Sequence, residues 1–270
     1  MKIESQKEGA ELVSIIYNGE EKLHDGKNFW NRHSPILFPI VGKLRNNITN
    51  INGEIYKMNQ HGFARDMEFK IVEYKDSKQS YLLESSQETK LKYPFDFSLY
   101  VTYYIDNETL ITEYKVINTG EEIMPFGIGG HPAYKLNYAN SYIEFEQDEN
   151  VIKYQLEDGL ISKEENIKLS KNFYLDQDSF NQDAIILKGL KSSKLFVRNK
   201  ETKKIELEFT CKEFPYLAFW SKKNAPFLCI EPWYAVADRK DFNGDFKEKE
   251  GNIFLGPKKE FMCSYSVKFM

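Results

Sequence analysis

The chain has 270 residues, 41% hydrophobic, 15% aromatic and 29% charged, with 37 lysines and arginines against 41 acids and a formal net charge of −4. Basic residues scattered among acids leave no stripe that could track a phosphate backbone, which argues against nucleic acid. No segment approaches the run of about 20 apolar residues that a membrane helix needs, and Met1–Glu8 has none of the apolar character of a secretory signal. Cys211, Cys229 and Cys263 complete no disulfide framework and stand at no metal-ligand spacing. They read as small buried hydrophobes, and the expected location is a reducing cytoplasm.

Taken in chain order, the elements alternate with a period of two, the mark of half-buried strands. Asn52-Gly53 and Asp76-Ser77 are early turn signals. Phe97, Leu99, Val101, Tyr103 and Ile105 then fall on one face of a long strand. Asp106-Asn107-Glu108 turns it back into Leu110–Val116, which predicts a hairpin. Further turns follow at Thr119-Gly120, Asp158-Gly159 and Asn243-Gly244. Ile205, Leu207 and Phe209 repeat the alternation, and so do Phe261, Cys263, Tyr265, Val267 and Phe269. The best helical candidate, Ser162–Lys171, is short and highly charged. With neither internal repeat nor linker, one all-β domain over residues 1–270 is expected, a sandwich or barrel.

Chemistry concentrates in three short strings. His61 opens His61-Gly62-Phe63-Ala64-Arg65-Asp66, where Gly62 permits unusual dihedrals and Arg65 and Asp66 could pair. His131 lies in Gly127-Ile128-Gly129-Gly130-His131-Pro132-Ala133-Tyr134, and Glu231 in Cys229-Ile230-Glu231-Pro232-Trp233-Tyr234. The proline after His131 and after Glu231 biases each toward extended backbone, and the paired glycines let backbone approach a ligand. A carboxylate at the end of the apolar run Ala225–Ile230 is costly to bury unless it is used, and burial would raise its pKa toward that of a general base. An imidazole and a carboxylate on stiff backbone are the parts for moving a proton on a neutral polyol. The ordinary alternatives are a structural histidine in a turn, a surface loop with a local salt bridge, and a glutamate whose head reaches solvent. His24 and His33 are expected in surface or loop positions. Phe126, Tyr134, Trp220, Trp233 and Tyr234 could stack on a sugar, although aromatic rings are more often core. Two histidines and one carboxylate could also bind a metal, but no short-range ligand spacing supports it. Nucleophile-elbow, phosphate-loop and dinucleotide motifs are absent.

With these strings in order the chain resembles the aldose 1-epimerase, galactose mutarotase-like superfamily, in its LacX-like branch. The resemblance runs from Leu37-Phe38-Pro39-Ile40-Val41-Gly42 through both histidine strings and Asn181-Gln182-Asp183-Ala184 to Cys229–Asp238. It implies a β-supersandwich of large antiparallel sheets and a cofactor-free, metal-free interconversion of the α and β anomers of a hexose. Glu231 would be the general base at the C1 hydroxyl, His131 the acid at the ring oxygen, and His61 a hydrogen-bonding stabiliser. Asp183 would hold a sugar hydroxyl, with Tyr134 and Trp233 beside the ring. The family's arginine string matches only loosely here, at Gly42-Lys43-Leu44-Arg45-Asn46-Asn47, so Arg45 or Lys43 fills that place. The longer string ending in Arg65 is shared with hexose-6-phosphate mutarotases, so Arg65 with Arg45 or Lys43 could meet a phosphate. The partner expected is a free or phosphorylated hexose; a carbohydrate-binding protein without turnover is the alternative.

Overall fold

The computed structural model describes all residues, 1–270, and is built almost entirely of antiparallel strands. The larger sheet has nine strands, in the spatial order Asn172–Tyr174, Ser141–Phe145, Lys194–Asn199, Ile205–Thr210, Glu260–Phe269, Thr109–Asn118, Phe97–Asp106, Lys78–Glu84 and Lys70–Lys75. The second sheet runs Leu160–Leu169, Glu149–Glu157, Ile185–Lys188, Tyr216–Trp220, Leu228–Tyr234, Ile128–Gly130 and Ile36–Leu37, with Ala133–Tyr134 also paired to Leu228–Tyr234. The predicted hairpin is present: Asp106 faces Thr109 across Asn107 and Glu108, both at positive φ, the backbone of a two-residue turn that matches strand twist.

The inner faces of the two sheets make one apolar core. Leu99, Val101, Tyr103, Val116, Phe209 and Val267 of the larger sheet join Ile185, Leu187, Leu217, Phe219, Leu228 and Ile230 of the second. Each large side chain so buried contributes roughly 1.5–3 kcal/mol. Buried tyrosines within it keep their hydroxyls satisfied, Tyr103 donating to the Ala10 carbonyl (2.8 Å) and Tyr93 to that of Pro125 (2.7 Å). Tyr134, expected beside a sugar, belongs to this core, with Phe209 and Phe269 against its ring.

Because side chains alternate, the other face of the second sheet carries a second, smaller set: Tyr216, Ala218, Ile186, Trp233, Ala235 and Ala237. This outward face holds the candidate site. The expected helix at Ser162–Lys171 is instead the strand Leu160–Leu169, paired with Glu149–Glu157 after the Asp158-Gly159 turn. It is an edge strand exposed along most of its length, so charges occupy both faces and hide the period-two signal.

Candidate active site

The strand Leu228–Tyr234 sends Leu228 and Ile230 into the core and Cys229, Glu231 and Trp233 to the opposite face. Ala218, the residue paired with Glu231 on the neighbouring strand, is too small to fill the space above it. On the other side, Gly129 faces Trp233 and Ala133 faces Cys229. Counting inward from both ends sets His131 directly opposite Glu231. The ladder is interrupted there because Pro132 and Pro232 each lack an N–H, and the two side chains meet across the gap: His131 Nε2 lies 3.2 Å from Glu231 Oε2. A hundred residues of separation in sequence thus become a single cross-strand pair.

The glycines before His131 serve this closeness. A Cβ at Gly129 would lie 2.8 Å from the Pro232 carbonyl oxygen, and one at Gly130 would lie 2.8 Å from both the Tyr114 and Tyr265 hydroxyls. Their close approach is therefore to the protein's own strand and tyrosines, where the sequence suggested a ligand.

His61 completes the cluster from a separate loop. Its ring stands perpendicular to that of His131, with centroids 5.6 Å apart. Its backbone is held at φ 66°, a left-handed conformation that costs a non-glycine residue about 1–2 kcal/mol. Gly62 follows at φ 75°, where a Cβ would strike the Phe38 carbonyl. The Gly42 N–H donates to His61 Nδ1 (3.1 Å), so Nδ1 is the acceptor and a neutral ring carries its proton on Nε2.

These groups line one cavity of about 340 Å³, together with Trp30, Arg32, Gly42, Gln60, Arg65, Asp183, Trp220 and Trp233. All three tryptophans of the chain are on its wall. Trp30 lies over His131 with centroids 4.7 Å apart, and Trp220 presents an edge to it. Five of the eight buried polar side-chain atoms without a hydrogen-bond partner are here: both Glu231 oxygens, whose contact with His131 Nε2 is too poorly aligned to be a hydrogen bond, His131 Nδ1, Trp233 Nε1 and Arg65 Nε. Buried polar atoms are otherwise almost always paired, so this cavity wall keeps free donors and acceptors for a polar guest.

Burial, and after it the charge of Asp183, push the Glu231 carboxyl well above the usual carboxylate range, against a weaker pull from the Trp233 indole. Burial lowers His131 to about 3, helped by the positive charges of Arg65 and Arg32, and holds His61 well below its ordinary value. A dry site disfavours both ionised forms, so the Glu231–His131 pair retains one proton between its two partners through the neutral range. Cys229 shares the strand face; its ligand atom and those of His131 and Glu231 lie within 4.8 Å of one another, and this is the set that could hold a metal ion. Burial and the neighbouring Glu231 push the Cys229 thiol well above its usual pKa, so it would meet a cation as a protonated, weak donor.

The structure brings His61, His131, Glu231, Arg65, Asp183 and Trp233 to this cavity and leaves Lys43, Arg45 and Tyr134 off its wall. Arg45 turns away, its guanidinium donating to the Phe242 carbonyl (3.1 Å) over a separate depression. Lys43 donates to the Asp158 carbonyl and lies against Gly159. Asp66 pairs with Arg32 (2.7 Å), not with Arg65, whose guanidinium donates to the Gln60 carbonyl (2.6 Å). Arg32, Trp30 and Gln60, with the apolar Leu156 and Ile186, are wall residues that the sequence reading missed. Trp30 and Arg32 stand in Asn28–Pro35, a loop with no periodicity to set a face; a tryptophan and an arginine so close together there were the available signal. His24 is buried, its Nε2 2.8 Å from the Trp30 carbonyl oxygen and its ring against Phe227, so it anchors that loop.

Residues 1–253 match the family model described as Aldose 1-epimerase. The chain is 31% identical to the chromosomal Protein LacX of Lactococcus lactis subsp. lactis, over 91% of this chain and 86% of that one. Among solved structures it superposes on a galactose mutarotase related enzyme from Lactobacillus acidophilus with a TM-score of 0.93 and 30% identity, covering 99% and 94% of the two chains. A galactose mutarotase-like protein from Lactobacillus casei ATCC 334 gives 0.90 and 26%, over 100% and 99%. With its nine-stranded sheet, its second sheet and the matched length, this chain belongs to the aldose 1-epimerase family.

Proposed function

We propose that the protein interconverts the α and β anomers of a hexose by acid–base ring opening and closure. The observation that carries this reading is the buried cross-strand pair of His131 and Glu231, 3.2 Å apart under His61 in a cavity of pyranose size. At rest the shared proton sits on Glu231; its passage to His131 across the 3.2 Å contact leaves Glu231 a base and His131 an acid. Glu231 takes the C1 hydroxyl proton as the bond from C1 to the ring oxygen breaks, and His131 gives its proton to that oxygen. The proton distribution in the pair is now inverted. Rotation about C1–C2 presents the other face of the aldehyde, and closure runs both transfers backwards. His61 donates from Nε2 to the oxygen on which charge develops. Asp183 at the mouth accepts from a ring hydroxyl, and the three tryptophans cover the apolar face of the sugar. Each positioned proton transfer contributes about 10²–10⁴-fold.

Arg32 and Arg65 favour a second reading, in which the hexose carries a phosphate. Two guanidiniums share one wall, and Arg65 is paired with no carboxylate and has its Nε free. Polarimetry on freshly dissolved α-glucose, α-galactose and their 6-phosphates separates the readings. Faster decay of rotation than in buffer is expected for at least one sugar, and sugar binding without acceleration would instead support a carbohydrate-binding protein.

A further inference from the structure

Behind His61 lies a buried charge pair that the proton-transfer scheme does not use. Lys249 and Asp238 have side chains only 1% exposed, and Lys249 Nζ donates to Asp238 Oδ1 at 2.9 Å and also to the Val236 carbonyl. Replacing a buried ion pair with apolar residues of similar volume is often neutral or stabilising, so stability alone is a weak reason for one here. Its connections suggest another. The second Asp238 oxygen accepts from the Arg45 N–H (2.9 Å), and the Asp238 N–H donates to the Lys43 carbonyl (2.9 Å). Both bonds grip the segment immediately after Gly42. Gly42 itself, at φ 72°, is pressed so close to Ala237 that a Cβ would lie 2.5 Å from the Ala237 nitrogen. From this clamped position Gly42 donates its N–H to His61 Nδ1 (3.1 Å) and accepts from the His61 N–H (2.8 Å).

The chain of contacts therefore runs from Lys249 through Asp238 to residues 43 and 45, then through Gly42 to the imidazole ring. We infer that Asp238 and Lys249 are positioning residues: they fix the Gly42 amide against His61 Nδ1 and so hold the ring as a neutral donor through Nε2, facing the sugar. The inference rests on the mutarotase reading for its catalytic consequence, but its structural part stands apart from it. The positive charge of Lys249 acts in the same direction, since it adds to the forces that keep His61 unprotonated. Asp238 closes the string that holds Glu231, but nothing in the sequence ties it to Lys249 or to His61.

Histidine ¹⁵N spectra test this directly, and with four histidines in the chain the signals are assignable one substitution at a time. In the unmodified protein His61 should show a single neutral form, protonated at Nε2, between about pH 6 and 8. A proton on Nδ1 overturns the inference without any variant. The double variant Asp238→Asn with Lys249→Met keeps an acceptor for the Arg45 N–H while removing both charges. It should show mixed His61 tautomers, and kcat should fall about a hundredfold, the order expected when a reacting group moves by roughly 1 Å, with KM changed far less. Unchanged spectra and kcat below the melting temperature, whatever the melting temperature itself, would make the pair a structural element only and defeat the proposal. If the unmodified protein accelerates no sugar, the mutarotase reading fails, and the spectra still decide whether the clamp sets the tautomer.

Discussion

The two faces of the second sheet follow one alternation to opposite ends. Toward the larger sheet, Leu228, Ile230, Leu217 and Phe219 join an apolar core in which buried hydroxyls find carbonyl partners. One residue along the strand Leu228–Tyr234, Glu231 and Trp233 point the other way, into a cavity where buried polar atoms are left unpaired. The first face is arranged for stability, and the second leaves buried polar atoms unpaired at a cost in stability. Substitutions on the two faces should therefore separate activity from folding.

The largest separation is expected at Glu231. Glu231→Gln should lower kcat by about 10³-fold or more, since it removes the group that takes the C1 hydroxyl proton in opening and returns it in closure, while leaving the fold intact. Its effect on melting has a definite sign. The carboxyl is held protonated in the folded state well above the pH at which it ionises in the unfolded chain, so folding binds the extra proton and stability falls as pH rises past the ordinary carboxylate pKa. The Gln variant should thus melt above the parent at neutral pH, and the gap should close below about pH 4.5; a gap that widens on acidification would contradict the burial argument. On the core face the pattern inverts: Leu99→Ala, at a site with no exposure, should cost about 2–5 kcal/mol in denaturant unfolding and leave kcat of the folded protein unchanged.

The pH profile sharpens the same contrast. A second proton reaches the pair only as pH falls toward the value of about 3 at His131, and the pair loses its proton on the alkaline side, at the raised Glu231. Activity should therefore hold well below the usual histidine range and decline in base. An acid limb near pH 6.5 would show that His131 titrates as an exposed imidazole. Smaller again is the effect of Arg32→Ala or Arg65→Ala. If the sugar is phosphorylated, each should raise KM for the hexose 6-phosphate by roughly 10–100-fold, the worth of one charge-assisted hydrogen bond, and leave the free hexose nearly unaffected. Equal changes for both sugars would remove the phosphate reading.

The sequence conveyed the fold well where alternation is one-sided, as in Phe97–Asn118 and Glu260–Phe269, because one face of each strand must be apolar. It misled at Leu160–Leu169, since an edge strand exposed along most of its length has no apolar face to display. Glu231 stood out because a carboxylate in an apolar run is improbable without a use. The family resemblance puts it in one site with His131, but their direct contact was not legible, since it depends on register across two interrupted strands. A loose alignment of strings points to Arg45 and Lys43, whereas the wall's second guanidinium is that of Arg32, in a loop whose direction no periodicity sets. The Gly129-Gly130 pair shows the same limit: glycine signals close approach, but not what approaches.

In the proposed reaction His131 and Glu231 pass one proton to and from a sugar ring. Exchange NMR between the α and β anomers, on neutral hexoses and their 6-phosphates, measures this at equilibrium. The account predicts enzyme-dependent exchange for at least one of these sugars, falling to the buffer rate in Glu231→Gln and in His131→Asn while sugar binding, followed by the fluorescence of the three cavity tryptophans, persists. Exchange that stays at the buffer rate with every sugar, or that survives the loss of Glu231, would contradict it.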